Sequence, residues 1–544
     1  MRPRRVLAGA GATALMGFSA IVADAFYSLD PTFGGGDGIV RTDGPGASAD
    51  DIDALAVQPD GKVLAAGFMT TPDARDFAVA RYNPNGTLDS TFGEGDGIAT
   101  TNIGPQSRDL AFGIALQADG KVILAGITIP NAPGASQDTA VVRYDADGTL
   151  DESFDGDSGT GNGIVVIPAS SEDDYAADVA VDSEGRIVLA GGLIETIDPY
   201  VEDLAVMRLA TDGTLDDAFG GDGIVTTDFT GVNGSDGALA VGVADDDDVI
   251  AGGFGDPDGG DGGWALARYN AVDGSLDEDF DGDSEDGDGA FLIPNNGSVS
   301  DLVVHTGKIA VAGGPGFTLG RLNLVDGTTD PSFGGDGFAS ASFGLGFSAS
   351  VNSIAIDGQR YVAAGSATEN ATSDQSFAFA RFFGGGEMDD QFGPNGTLIR
   401  NIARRTATVQ GFEEVGGVGV IDDGNALTPN KVVGGGGVWY GESVANEDFT
   451  VVQVAEDTTA PTTTITRPAP GRTTKRRPRL RFTANEPATF RCRVDGRAWV
   501  AGCQSEQSFG RLSLGRHRFR VEATDESGNV ETPPAKRTIR IVRK

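Results

Sequence analysis

One short phrase returns seven times along the chain. It first reads Leu29-Asp30-Pro31-Thr32-Phe33-Gly34, then Leu88-Asp89-Ser90-Thr91-Phe92-Gly93, and it comes back around Phe154, Phe219, Phe280, Phe333 and Phe392. Successive phenylalanines stand 59, 62, 65, 61, 53 and 59 residues apart. A period of that size, filled with short strands, marks a propeller-like array of β-sheets.

Each repeat carries the same parts in the same order. After the phrase and a Gly-Asp-Gly turn comes a short apolar run, Gly38 to Thr42 in the first repeat. Next come Ala54-Leu55-Ala56-Val57-Gln58, a Pro59-Asp60-Gly61 turn and Lys62-Val63-Leu64-Ala65-Ala66-Gly67. A loop of variable length leads to Asp76-Phe77-Ala78-Val79-Ala80-Arg81-Tyr82. Short Val/Ile/Leu/Ala runs bounded by Gly, Pro, Asn and Asp are strands and turns, and a Pro-Asp-Gly between two of them is a hairpin. The inner runs, such as Ile114 to Gln117, are apolar almost throughout, which means burial on both faces. Their Ala and Gly suit sheets pressed together near a narrow channel.

Four strands per repeat and seven repeats predict an all-β fold, a seven-bladed β-propeller. The chain opens on an outer strand and leaves the repeats on Asp448 to Val454, which matches a third strand. Residues from about 411 to 455 then borrow their fourth strand from the N-terminus, closing the ring without a long open edge. The rival arrangement is an open solenoid of repeats.

The repeats resemble the delta-60 repeat of secreted and surface bacterial proteins. The resemblance rests on the Leu-Asp-x-x-Phe-Gly phrases, the hairpin at 56–67 and the strand at 77–82, and covers residues 29 to 455. It is poorest in the seventh repeat, where residues 422–430 lengthen the hairpin turn, and in the fourth, where Ala244-Asp245-Asp246-Asp247-Asp248 replaces the usual turn. It implies a fold and brings no settled activity.

Residues 1–25 read as a secretory signal: Arg2, Arg4 and Arg5, an uncharged stretch from Val6 to Val22, then Ala23-Asp24-Ala25 as a cleavage site. An uncleaved anchor is the alternative. No later stretch reaches the roughly 20 apolar residues of a spanning helix, so the mature chain is expected to leave the cytoplasm, secreted or held at the cell surface. Cys492 and Cys503, the two cysteines, predict a disulfide across a hairpin turned at Asp495-Gly496, with a pair of buried thiols as the alternative.

Charge splits the chain. Residues 1–456 hold 21 Lys and Arg against 72 Asp and Glu, a net of −51, while residues 457–544 hold 19 against 8, a net of +11. So sharp a break marks a domain boundary, giving a propeller at 26–456 and a basic domain at 457–544. In the latter, runs such as His517-Arg518-Phe519-Arg520-Val521 alternate core with Arg. About ninety residues of such strands suit a small β-sandwich. Asp457 to Pro461, the Phe490-x-Cys492-x-Val494-Asp495-Gly496 hairpin and Ala523 to Asn529 resemble bacterial Ig-like modules.

Material for catalysis is thin. His305 and His517, the two histidines, read as structural or surface groups, and no local signature pairs either with a nucleophilic Ser. A carboxylate pair is expected by chance among 72 acids. The Gly-rich runs at 34–38 and 434–437 lack a following Lys-Ser/Thr, so they do not cradle phosphate. Calcium is the more serious cofactor: Asp155, Asp157, Asp281, Asp283, Asp286 and Asp288 stand at near-alternate positions in Gly-rich loops, although turn formation explains the same pattern. Ligand contact is expected from the loops between second and third strands, with Tyr200, Trp439 and Tyr440 as aromatic candidates. The expected function is a secreted, non-enzymatic binding or adhesion protein for an extracellular polysaccharide, cell-wall polymer or protein. The propeller's charge argues against nucleic acid. The alternative is an extracellular polysaccharide hydrolase or lyase.

Overall fold

In a computed structural model, the chain is described from residue 27 to 543, apart from 45–49, 72–73, 157–158, 160, 198–199, 230–233, 257–261, 283–286, 295–296, 315, 403–410, 423–429, 441–446, 458–459, 485–487 and 526–528. The expected signal segment, 1–25, lies outside the described residues. Two units divide between Asp457 and Thr458, one residue from the break in composition.

Among the described residues, the first unit holds seven antiparallel groups of strands of one plan, called sheets 1 to 7 below; a single parallel bridge joins sheet 1 to sheet 2 and another joins sheet 3 to sheet 4. In sheet 1, Asp51–Val57 pairs with Val63–Thr70, that with Arg75–Tyr82, and that with Ile98–Thr101. The first strands of sheets 2 to 7 are Arg108–Leu116, Asp174–Val181, Ser235–Val243, Val299–His305, Phe347–Asp357 and Gly411–Ile421. Each touches its neighbour in the next sheet, and that of sheet 7 touches that of sheet 1. The last strand contributed by the repeats, Glu447–Glu456, pairs with two early segments: Ile39↔Val452 to Thr42↔Phe449, and Tyr27↔Glu456 to Leu29↔Val454.

The apolar core lies between sheets. Ile123, Ala125 and Val141 of sheet 2 face Ile187, Leu189, Ala205 and Met207 of sheet 3, with the fully buried Phe154 inserted at the edge. Burial on both faces explains why these strands are continuously apolar.

A three-part clip joins successive sheets. Arg143, near the end of its third strand, donates from Nε to Asp151 Oδ2 at 2.6 Å and from Nη1 to the Thr211 carbonyl of the next repeat at 2.5 Å. Its guanidinium lies 4.5 Å from the Phe154 ring centre. Lys121 adds a second cation to Asp151 at 2.9 Å, and Asp151 Oδ1 caps its own turn by accepting from the Ser153 amide and hydroxyl. Arg81, Asp89 and Phe92 repeat the arrangement, as do Arg321, Asp330 and Phe333. So the recurrent Asp and Phe are two parts of one device whose third part is the Arg near the end of the third strand in sheets 1, 2 and 5. The fourth repeat departs where its turn is acidic: Arg268 is shared among Asp246, Asp248 and Asp277.

Every first strand carries a bulge at the same height, for example between Ala111 and Gly113. The bulge pushes the Leu110 carbonyl toward the second strand, where a Cβ on Gly126 would lie 2.0 Å from that oxygen. Sheet 7 repeats this at Gly436, 1.7 Å from the Glu414 oxygen. The glycine inside each second strand therefore answers a contact within its own sheet. Gly113 in turn answers the neighbour, since its Cβ would meet Asp178 Cα at 2.9 Å.

The second unit places Thr463–Arg467, Arg479–Ala484 and Gln507–Ser508 in one sheet, and Gly471–Thr473, Ala535–Ile541, Gly515–Asp525, Ala488–Val494 and Val500–Ala501 in another. Its core includes Leu480, Phe482, Val494, Phe519, Val521, Ile539 and Ile541. The Cys492–Cys503 disulfide is present, with Cα atoms 5.8 Å apart. His517 is structural: Nδ1 meets Asp495 Oδ2 at 2.9 Å and Nε2 meets the Ser513 carbonyl at 3.0 Å.

Removing one member of a buried ion pair strands the other, at about 3 kcal/mol or more. Arg143→Met is therefore expected to destabilise the propeller unit by about 3 kcal/mol in urea unfolding followed by circular dichroism, whereas removing an exposed charge changes stability by about 0.5 kcal/mol or less.

Candidate functional site

The bulges do more than close-pack the sheets. They turn a set of side chains toward a common axis, where a cavity of about 290 Å³ is lined by Asp53, Phe112, Asp178, Leu239, Asp301 and Asn352, among others. Two of its carboxylates bridge sheets. Asp178 Oδ2 accepts from the Val241 amide of sheet 4 at 2.8 Å. Asp301 Oδ2 accepts from the Ser353 hydroxyl and the Ile354 amide of sheet 6, both at 2.8 Å. Enclosure by protein pushes Asp178 up to about 7, helped by the charge of Asp301. Burial pushes Asp301 up to about 6 against the pull of its hydrogen bonds. Burial thus shifts both carboxyls of this cavity toward their neutral form.

A second feature lies where one sheet's third strand begins beside the next sheet's first strand. Asp203, Asp228 and Asp236 bring carboxylate oxygens within 4.8 Å of one another. Burial raises Asp203 to about 6, and Glu195, Asp228 and Asp236 add repulsion. The corresponding group at the junction of sheets 7 and 1 is Asp448, Asp43 and Asp50, with Asp448 also raised to about 6, first by burial and then by Asp43. Between sheets 1 and 2 the middle residue is instead Asn102, whose Nδ2 donates to Asp76 Oδ1 at 2.9 Å. An amide there relieves what a third carboxylate creates. Three converging carboxylates have the chemistry to take up a hard cation. Sequence reasoning passed over these acids because their members stand 8 to 33 residues apart (Asp203, Asp228, Asp236), although Asp directly after the Thr of the outer strand (Thr42-Asp43, Thr227-Asp228) was a signal in plain view.

The acids singled out by sequence are placed differently. Asp155 Oδ2 accepts from the Gly161 amide at 3.1 Å, and Asp288 Oδ1 from the Ala290 amide at 3.3 Å, both as turn-formers. Asp281 opens the second of those loops, and Asp157, Asp283 and Asp286 lie outside the described residues. Tyr200 begins the third strand of sheet 3, while Trp439 and Tyr440 end the second strand of sheet 7, so all three stand at the same edge of their sheets. Their side chains lie outside the described residues.

A family model described as a domain of unknown function (DUF5122) β-propeller matches residues 58–92, 117–154, 183–219 and 246–280. Each match opens at a hairpin turn and closes on the buried phenylalanine of its repeat, from Gln58 to Phe92 in the first. The chain is an all-β protein built of β-propeller repeats. Among solved structures it is similar to a protein of unknown function from Dyadobacter fermentans DSM 18053 (TM-score 0.39, 9% identity, 77% of this chain and 100% of that one). It is also similar to the extracellular domain of a putative hybrid two component system from B. thetaiotaomicron (0.34, 9%, 90% and 72%) and to an ulvan lyase (0.42, 11%, 77% and 96%). No curated protein matches the sequence. Among the described residues, no helix is long and apolar enough to cross a membrane.

Two predictions follow the charges. In the unfolded chain Asp178 releases its proton near 3.8, and in the folded protein near 7. Between those values the folded state holds a proton that the unfolded state has lost, so stability falls as pH rises through this window. Asp178→Asn, which mimics the protonated acid, is expected to flatten that fall in thermal unfolding measured at successive pH values. Asp228→Asn restores the amide that Asn102 supplies elsewhere. It is expected to raise the melting temperature in chelator and to abolish any rise that calcium produces in the parent protein.

Proposed function

We propose that the protein is an extracellular, non-enzymatic binding or adhesion scaffold. In this reading the first unit is a seven-bladed delta-60 propeller, closed by the early strands Tyr27–Leu29 and Ile39–Thr42 on the last sheet. An Ig-like module follows it. The observation that carries the reading is the division of labour within each repeat. The recurring Arg, Asp, Phe, Tyr and Gly are committed to clips, turns and close contacts, as Arg143, Asp151 and Phe154 are. The loops between second and third strands share no such residues. They differ in length and composition from Thr70–Arg75 to Ile129–Asp138 and Glu369–Asp374, so recognition falls to them. A disulfide in a small β-unit supports an oxidising compartment.

The rival reading, a polysaccharide hydrolase or lyase, draws on the acids between sheets 3 and 4, where Tyr175 also stands. Tyr175 Oη donates to Glu202 Oε1 at 2.8 Å, and Ser235 donates to Oε2 at 2.9 Å, which ties this pair into the sheet junction. Incubating the chain from residue 26 with neutral and acidic polysaccharides separates the two. The scaffold reading expects retention of polymer or cell-wall material with no new reducing ends and no unsaturated products. Depolymerisation that Asp203→Asn abolishes would replace it with the enzyme reading.

A further inference from the structure

The outer face of the five-stranded sheet in the second unit carries rows of like charge in register. Arg493 stands opposite Arg520, and Arg520 opposite Lys536. Two repeats of the pleat further on, Arg516 stands opposite Arg540, and Arg540 beside Arg472 of the parallel edge strand. Their neighbours along the strands, Cys492, Val494, Phe519, Val521, Ile539 and Ile541, fill the core, so the basic set points away from it. Arg518 lies between the two rows. Like charges directly opposite on neighbouring strands oppose sheet formation.

Little within the unit relieves this repulsion. Arg491 has Glu522, but Arg493, Arg516, Arg518, Arg520 and Arg540 have no ion-pair partner among the described residues. The other sheet is built differently, since Glu506 pairs with both Arg479 and Arg481. The basic face also forms a groove of about 410 Å³, lined by Arg493, Arg516, Arg518, Arg520, Asp495 and Gly496. Arg493 Nε, buried there, has no hydrogen-bond acceptor. The ring of Trp499 lies 4.3 Å from the Arg493 guanidinium and 5.1 Å from that of Arg491.

We propose that this face binds a linear acidic polysaccharide, a sugar chain bearing carboxylate or sulfate groups. Cations about 4.8 Å apart across strands and about 6.8 Å apart along them match a flexible chain of repeating anions laid over the sheet. Guanidinium forks suit carboxylate and sulfate oxygens. Asp495 decides between polysaccharide and nucleic acid. Its carboxylate, held by His517 and the Arg518 amide, is partly exposed within the groove. An acceptor among arginines serves the free hydroxyls that a sugar chain presents between its anionic groups and that a DNA backbone lacks. The ring of Trp499 is already occupied by two guanidinium groups, so it is no platform for a base. The site is built from residues of the second unit alone and the proposed recognition loops from residues of the first, so the two readings fail independently.

The test uses the chain from residue 26 with polygalacturonate and dextran sulfate as probes, at about 0.15 M salt, where weak surface attraction is largely screened. The Arg516→Gln/Arg518→Gln/Arg520→Gln variant is compared with Arg467→Gln/Arg479→Gln/Arg481→Gln, which removes equal charge from the other sheet. The first is expected to weaken binding tenfold or more, with a melting temperature unchanged or raised because repulsion is relieved. The second is expected to change binding less than twofold. Equal weakening by both variants, no binding of either polysaccharide, or tighter binding of a 30-base-pair DNA duplex would each overturn the proposal.

Discussion

The architecture of the first unit depends on a buried arginine that reaches from one repeat to the next. Alone, each four-stranded sheet has two apolar faces and no way to cover both. Arg143 resolves this by joining three things: the Asp of its own repeat, the ring of the Phe beside it, and a backbone carbonyl in the following repeat. Low surrounding polarity strengthens each of these bonds, and it also makes the guanidinium costly to bury unless all are made. Angle and distance between neighbours are therefore tightly specified.

The exception lies where the ends of the repeat array meet. Sheet 7 has Gln453 where other sheets have Arg, and Asp30 is held instead by Lys431 at 2.6 Å. Arg381 of sheet 6 turns to Tyr27, donating to its hydroxyl at 2.8 Å and lying 4.5 Å from its ring centre. Arg400 holds the Tyr27 carbonyl at 2.9 Å. Early and late parts of the chain are thus joined by side chains as well as by strand pairing, with a tyrosine doing part of what the clip does elsewhere.

The two units handle charge in opposite ways. The propeller buries acids in ordered settings. Asp89, Asp151 and Asp330 are held well below the usual carboxylate range by hydroxyl and amide donors and by paired cations, which outweigh the burial that opposes them. Asp178, Asp301 and Asp203 have no such cation among the described residues and are pushed upward, first by burial. The C-terminal unit keeps a set of arginines on the outer face of its five-stranded sheet, with few ion-pair partners among the described residues. One pattern uses charge to build the fold, and the other leaves charge available to a partner.

Much of this was legible in the sequence because it is periodic. The spacing of Phe33, Phe92 and Phe154 announced the repeats, and the alternation of Arg with apolar residues at 517–521 announced a one-sided sheet. The cysteine spacing announced the disulfide. Strand pattern is local, so a linear reading recovers it. What only the tertiary structure decided depends on groups distant in sequence meeting at one point. The Arg81 and Ala146 partners, the Asp178 and Val241 bridge, and the Asp203, Asp228 and Asp236 group are of this kind. Of the acids that sequence singled out as metal ligands, Asp155 and Asp288 accept amides of their own loops, while Asp157, Asp283 and Asp286 lie outside the described residues. The acids that converge came from different strands, because the sheets, and not the order of residues, set which carboxylates face one another.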